Sequence, residues 1–272
     1  MNTMKSFIKT ILFLGLVTLL DFLLRKGFIG HFLPFSLPQN LNVLLLFAVF
    51  AAGAWWITRQ FGRSDQWSLN DLGISLSKTN QWEFFIGFWV GVFLWGVVAL
   101  SQSFFAGFSW VLRPDFNAFT LVHGLIFIFI ADLGTELYTR GYPLTKLEEG
   151  FGAKVAIGIM VFFEVLKSTV FNMGNDLFMY AVIIPTLHIV FFSIVYFKTR
   201  RLGASLGIHT GANFITISIF DLRIEQPGQA IPAGIFQANA DLETLSIHAL
   251  QMPWVAMALI FSVVTYCWWV KK

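Results

Sequence analysis

The chain has 272 residues, of which 57% are hydrophobic and only 12% charged, with a formal net charge of +3. A soluble domain carries about 25% charged residues, so this composition excludes an ordinary water-soluble domain and points to a polytopic membrane protein. The cations gather at the ends of apolar segments, a topology pattern rather than a nucleic-acid-binding face, and the single cysteine, Cys267, excludes an intrachain disulfide or a cysteine-based metal cage.

A spanning helix needs roughly 20 mostly apolar residues. About eight segments meet that requirement, at 6–24, 41–58, 83–106, 119–138, 153–171, 177–197, 203–221 and 249–269. Each is expected to be a helix, because these runs lack the two-residue alternation of a membrane barrel. The fold class read from the sequence is therefore all-α, a membrane helix bundle treated as one domain over residues 1–272. The apolar run of the first segment follows Lys5 and Lys9 and has no small-residue cleavage site after it, so it reads as a retained span rather than a signal peptide. Residues 59–82 hold a capped, amphipathic turn around Asn70, Asp71 and Gly73, read as interfacial. Residues 222–248, with Pro227, Gly228, Pro232 and Gly234, read as an outer loop. With the N-terminus inside, one side receives Lys5, Lys9, Arg59, Arg63, Lys78, Arg140, Lys146, Lys154, Lys198, Arg200, Arg201, Lys271 and Lys272, and the other only Arg25, Lys26, Arg113 and Arg223. That bias places both termini in the cytoplasm, in a cell membrane.

Polar groups within such segments are costly and mark functional candidates. In the fourth segment Asp132, Glu136 and Arg140 are four residues apart and share one helical stripe, with Glu before Arg in the favourable order. They form either an ion pair anchoring the inner end of the helix, which Gly141 and Pro143 then stop, or part of a site. In the fifth segment Glu164 and Lys167 are three apart; they read as a structural pair, with a chemical role for a deprotonated Lys167 as the alternative. His188 in the sixth segment reads as a hydrogen-bonded packing residue. His123 and His248 near the interfaces, and His31 in the first outer loop, receive no role. In the seventh segment His209 and Asn213 lie on one helix face among Gly203, Ala204, Ser205, Gly207, Gly211 and Ala212, small residues that let helices approach closely. Such a pair could hold an oxyanion, a polar ligand or a metal ion, although Asn is a poor zinc ligand, or simply join two helices. No metal or cofactor is expected.

Taken in order, three short motifs carry a resemblance. The stretches Thr135-Glu136-Leu-Tyr-Thr-Arg140-Gly141, Phe163-Glu-Val-Leu-Lys167 and His209-Thr-Gly-Ala-Asn213 are similar to the EExxxR, FxxxH and Hxxx(N/D) blocks of the CPBP family, the CAAX-protease and bacteriocin-processing (ABI) intramembrane peptidases. The likeness covers about residues 65–220 and implies an all-helical membrane fold. It also implies a catalytic set comprising Glu136, Arg140, His209 and Asn213. In the family the leading Glu and the second-block His activate the attacking water, while the later His and Asn stabilise the oxyanion. The two water-activating positions are Thr135 and Lys167 here. Neither a threonine nor a charged lysine accepts a proton near neutral pH, and losing a general base typically costs about 10²–10⁴ in rate.

Three readings follow. The first is a family member with lost or weakened proteolysis and a retained pocket for a membrane peptide or partner, formed by the fourth, fifth and seventh segments. The second is an active endopeptidase with rearranged groups, using Glu136, Asp132 or Glu164 as base. The third is an unrelated transporter-like subunit. The expected partners are membrane lipid and a membrane peptide or protein, with no nucleic acid.

Overall fold

A computed structural model of the chain describes residues 3–24, 39–114, 116–172, 178–222, 234–241 and 244–271. His31, Arg25, Lys26, Arg223 and part of the predicted outer loop, including Pro227, Gly228 and Pro232, lie outside them. The architecture is an all-α polytopic bundle. In chain order the helices are α1 (Thr3–Leu23), α2 (Gln39–Ser64), α3 (Lys78–Ala106), α4 (Ala118–Glu136), α5 (Tyr142–Phe151), α6 (Ala153–Asn172), α7 (Phe178–Thr199), α8 (Leu202–Asn213) and α9 (Ile247–Val270). Among the described residues six helical stretches are long and apolar enough to cross a membrane; α4 through α5 counts as one of them. The other two predicted spans are helical as well. However, α6 carries Lys154, Glu164 and Lys167, and α8 keeps α geometry for only 12 residues.

One expectation is corrected at the end of α4. Gly141 and Pro143 do not stop the helix. Residues Leu137–Gly141 form a π turn, and the chain continues directly into α5, with Pro143 in its first turn. Proline has no N–H to give to the turn before it, so the break in regular α geometry falls where a helical hydrogen bond is missing anyway. A second π turn, Phe214–Ile219, follows α8. Isolated π turns cluster at functional sites.

The position of α8 is set by its glycines. A Cβ on Gly207 would run into the backbone of Phe84, and one on Gly211 into that of Phe88. From the other side, a Cβ on Gly87 or Gly91 would strike the backbone of Ala204 or Ile208. Helices α3 and α8 therefore meet backbone to backbone, as small-xxx-small patterns permit in lipid. The Asn80 side chain accepts from the Gly203 N–H at 2.7 Å, satisfying an orphan donor at the start of α8. The interfacial turn docks onto the same point. Gly73, at φ +72°, lies against Arg200 and Arg201, and its carbonyl accepts from the Leu202 N–H at 2.9 Å. A side chain at Gly73 would be both strained and obstructed.

Ion pairs tie many helix ends into one polar face. Lys9 donates to Asp65 Oδ1 at 2.5 Å, the Lys146 ammonium lies 3.1 Å from the same oxygen, and the Tyr142 hydroxyl donates to Oδ2 at 2.7 Å. Arg200 makes a bidentate pair with Glu148, Arg201 one with Glu83, and Lys198 donates to the Lys271 carbonyl at 2.7 Å. These are mostly cations that the charge pattern assigns to one side of the membrane. At the other end of α3 a small sheet of order β1-β3-β2 joins Trp110–Leu112, Phe236–Ala238 and Phe220–Asp221.

Burial pushes the Asp65 carboxyl up, but the hydrogen bonds from Lys9, Tyr142 and Lys146 outweigh it and hold the group below its ordinary value. A depressed pKa gives stability that is complete above the unfolded-state value, about 3.9, and is lost as pH falls through the folded-state value. Wild type should therefore be more stable than Asp65→Asn at neutral pH, with the difference shrinking below about pH 4. Melting temperatures of the two proteins in one detergent across that range check this; a gap independent of pH would exclude the carboxylate as its source.

Candidate functional site

Helices α4 and α8 run antiparallel, and their four-residue spacings interlock. Asn213 donates through Nδ2 to Asp132 Oδ1 at 2.7 Å. One turn further along, His209 Nδ1 lies 3.0 Å from Glu136 Oε1. An ionised carboxylate only accepts, so the proton of that contact sits on Nδ1. The other ring nitrogen, Nε2, is 3.6 Å from Asp132 Oδ1, so two carboxylates bracket the imidazole. Glu136 Oε1 also accepts from Arg140 Nη1, which donates as well to Thr139 Oγ1 at 2.9 Å. Glu136 and Arg140 are both fully buried. The Arg140 guanidinium lies over the Phe192 ring of α7, 4.8 Å from its centroid, a favourable cation–π position. Asp132 Oδ2, Glu136 Oε2 and Arg140 Nε and Nη2 have no hydrogen-bond partner among the described residues.

This geometry merges two readings the sequence left apart. Glu136–Arg140 is an ion pair and is also bonded to the third motif. Asp132, a candidate base in one reading of the sequence, is the partner that holds Asn213.

Beside the cluster lies a cavity of about 660 Å³. Its walls include Thr135, Tyr138 and Thr139 from α4 and the π turn, Glu164, Lys167 and Ser168 from α6, and Pro185 and His188 from α7, completed by residues of α1 and α2. The two positions that depart from the family pattern, Thr135 and Lys167, thus share one cavity. The predicted make-up of the pocket needs correction in one respect. The fourth and fifth segments line it, but the seventh does not: His209 and Asn213 stand behind the wall, held to Asp132 and Glu136, while the first, second and sixth segments contribute instead. The physical reason is the glycine contact, which draws α8 against α3.

The substituted residues are themselves engaged. Thr135 Oγ1 donates to the Ala131 carbonyl at 3.2 Å. Both carboxylate oxygens of Glu164 lie close to the Lys167 ammonium, at 3.0 and 2.8 Å. The ammonium sits 4.8 Å from the centroid of the Tyr138 ring on the fourth segment, so it reaches an aromatic face there rather than a carboxylate.

His188, read from sequence as a hydrogen-bonded packing residue, packs as expected but without the hydrogen bond to a described residue. Its ring packs edge-on against His209 at 4.8 Å between centroids and tilted against Phe192 at 4.6 Å. It lines the cavity and makes no hydrogen bond to any described residue. The sequence signal for a role beyond packing is its type: an ionisable side chain within an apolar span is a functional candidate. Ligating atoms of Glu136, His188 and His209 lie within 4.8 Å of one another, a grouping with the ligand types of a metal site. Arg140 and His209 already engage Glu136 Oε1, which opposes a second cation there. His123 Nδ1 is buried without a partner among the described residues, and His248 Nδ1 meets the Tyr180 hydroxyl at 2.7 Å; neither joins the cluster.

Residues 116–215 match the family model of type II CAAX prenyl endopeptidase Rce1-like proteins, consistent with CPBP family membership. The match begins just before α4 and ends just after α8, so it takes in all three motif helices and the turn between α4 and α5. It supports the peptidase-family reading over the transporter-like one. No curated protein and no solved structure matches the chain.

Proposed function

We propose that this chain, similar in its central part to type II CAAX prenyl endopeptidases, is a membrane-embedded peptidase-family protein whose cavity receives a segment of a membrane-attached peptide and whose proteolysis is weakened at the water-activating step. One observation carries the reading: Thr135 and Lys167 stand in the wall of a single cavity beside an intact Glu136–Arg140–His209 cluster. The polar framework that holds the site is retained, and the substitutions fall on the proton-accepting side. The cavity lies within the 300–1,000 Å³ range typical of ligand pockets. The weighting of cations toward one polar face supports cytoplasmic termini. The site residues by resemblance are Glu136, Arg140, His209 and Asn213, and an oxyanion role for His209 and Asn213 requires the peptide to reach past the cavity wall they stand behind.

The test is binding. A fluorescent farnesylated peptide ending in a CAAX sequence is titrated against purified protein in nanodiscs, beside Ile184→Trp, which fills the cavity from its α7 wall. Saturable binding by wild type and at least about tenfold weaker binding by the variant, equivalent to about 1.4 kcal/mol, are expected. Equal affinities would remove the cavity from the proposal, and no binding by wild type would remove this peptide class.

A further inference from the structure

Residue 167, the second-block position, cannot act as a base while its ammonium is charged and paired. That leaves open which group could take the proton. Glu164 is engaged through both oxygens by Lys167. Asp132 is bonded to Asn213 and faces His209 through Oδ1, and its side chain does not line the cavity. Glu136 faces both Arg140 and His209 through Oε1, and its unpartnered Oε2 belongs to a fully buried side chain that does not line the cavity. The His188 imidazole has no hydrogen bond to any described residue, and in its neutral form it always presents one acceptor nitrogen.

We infer that His188, reaching the site from α7, replaces the second-block histidine as the acceptor of the proton from the attacking water. The inference rests on the peptidase reading above and says which group sustains its residual chemistry. The spacing supports it. Ligating atoms of Glu136, His188 and His209 all lie within 4.8 Å of one another, near enough for one small polar molecule to touch more than one of them. A water held there would have a carboxylate, an imidazole acceptor and a second imidazole around it. Of the three residues, His188 is the one that lines the cavity, so it is also the one within reach of a peptide lying there.

The step balances without a further reactant. The water oxygen bonds to the peptide carbonyl carbon as one of its protons passes to the free nitrogen of His188. The carbon–nitrogen bond then breaks, and His188 returns that proton to the leaving amine. The products are a carboxylic acid and an amine, and the imidazole is neutral again.

The experiment uses the full chain in proteoliposomes containing a chelator, with an internally quenched farnesylated CAAX-type peptide as substrate and the same peptide, unquenched, as binding probe. Wild type is expected to cleave slowly. His188→Gln should cut the cleavage rate by about 10²-fold or more while changing peptide affinity less than twofold. His188→Ala, with the ring removed beside the cavity, should recover part of the lost rate when free imidazole is added, a response that a packing role would not produce. Cleavage by His188→Gln within threefold of wild type overturns the inference. So does a wild type that binds the peptide without cleaving it, which leaves the pocket reading intact. A wild type that neither binds nor cleaves overturns both. A His188→Ala protein that keeps its melting temperature but shows no imidazole response also counts against His188 as the base.

Discussion

Arg140→Ala is expected to be the most destabilising single change in the bundle, costing about 3–5 kcal/mol, because it leaves the fully buried Glu136 carboxylate without its cation. The second half of the expectation is more diagnostic. Removing both charges, as Glu136→Met with Arg140→Met, should recover much of that loss, since a buried pair replaced by apolar groups of similar volume is often neutral or better. His209 limits the recovery, because it also loses its acceptor on Glu136. The melting temperature or the midpoint of unfolding in detergent measures both variants. If the double variant is as unstable as Arg140→Ala, the pair contributes more than mutual neutralisation. If Arg140→Ala is tolerated, Arg140 is not the cation that keeps Glu136 ionised.

The largest expected gain is catalytic. Thr135→Glu with Lys167→His restores the two family-type groups at positions that already face one cavity. A correctly placed general base is worth about 10²–10⁴ in rate, and the double variant should approach that increase on the farnesylated quenched peptide. The change has a known cost: Lys167→His removes the cation that now holds Glu164, so Glu164→Gln should be tested alongside. Neither single variant is expected to reach the double variant's rate. A folded double variant with no gain would mean that the scaffold has lost more than its proton acceptor. A gain that persists in His188→Gln would show the restored pair working independently of His188.

The spans and most of the cluster were legible in the sequence because both follow from local spacing. Hydropathy over about 20 residues marks a crossing helix, and four-residue spacing puts Glu136 beside Arg140 and His209 on the face of Asn213. What was not legible depends on pairings between distant segments. No local pattern says that Asp132 holds Asn213, or that Thr18 and His188 share a cavity with Lys167. The glycines of the seventh segment announced a close helix contact, but not that α3 would supply it and draw His209 behind the cavity wall. His188 was read as packing alone because a single histidine has no partner on its own helix; its relation to His209 exists only across α7 and α8. The Gly141–Pro143 pair was misread because a stop signal and the entry to a new helix use the same residues.

The two π turns begin immediately after Glu136 and Asn213. A π turn holds one residue more than an α turn, and each residue advances a helix by about 100°. A continuous wheel drawn through the fourth segment would tie the direction of Tyr142 and Lys146 rigidly to that of Asp132 and Glu136. The extra residue breaks that tie. The upstream half is phased to α8, and the downstream half to Asp65, Lys9 and the aromatic rings of Phe13 and Phe61 around Tyr142. The two halves therefore answer to separate packing constraints within one unbroken rod. Substitutions in the site, including those at Thr135, can accumulate without rotating the polar face that anchors the rod, and repacking at that face need not turn Glu136 away from His209.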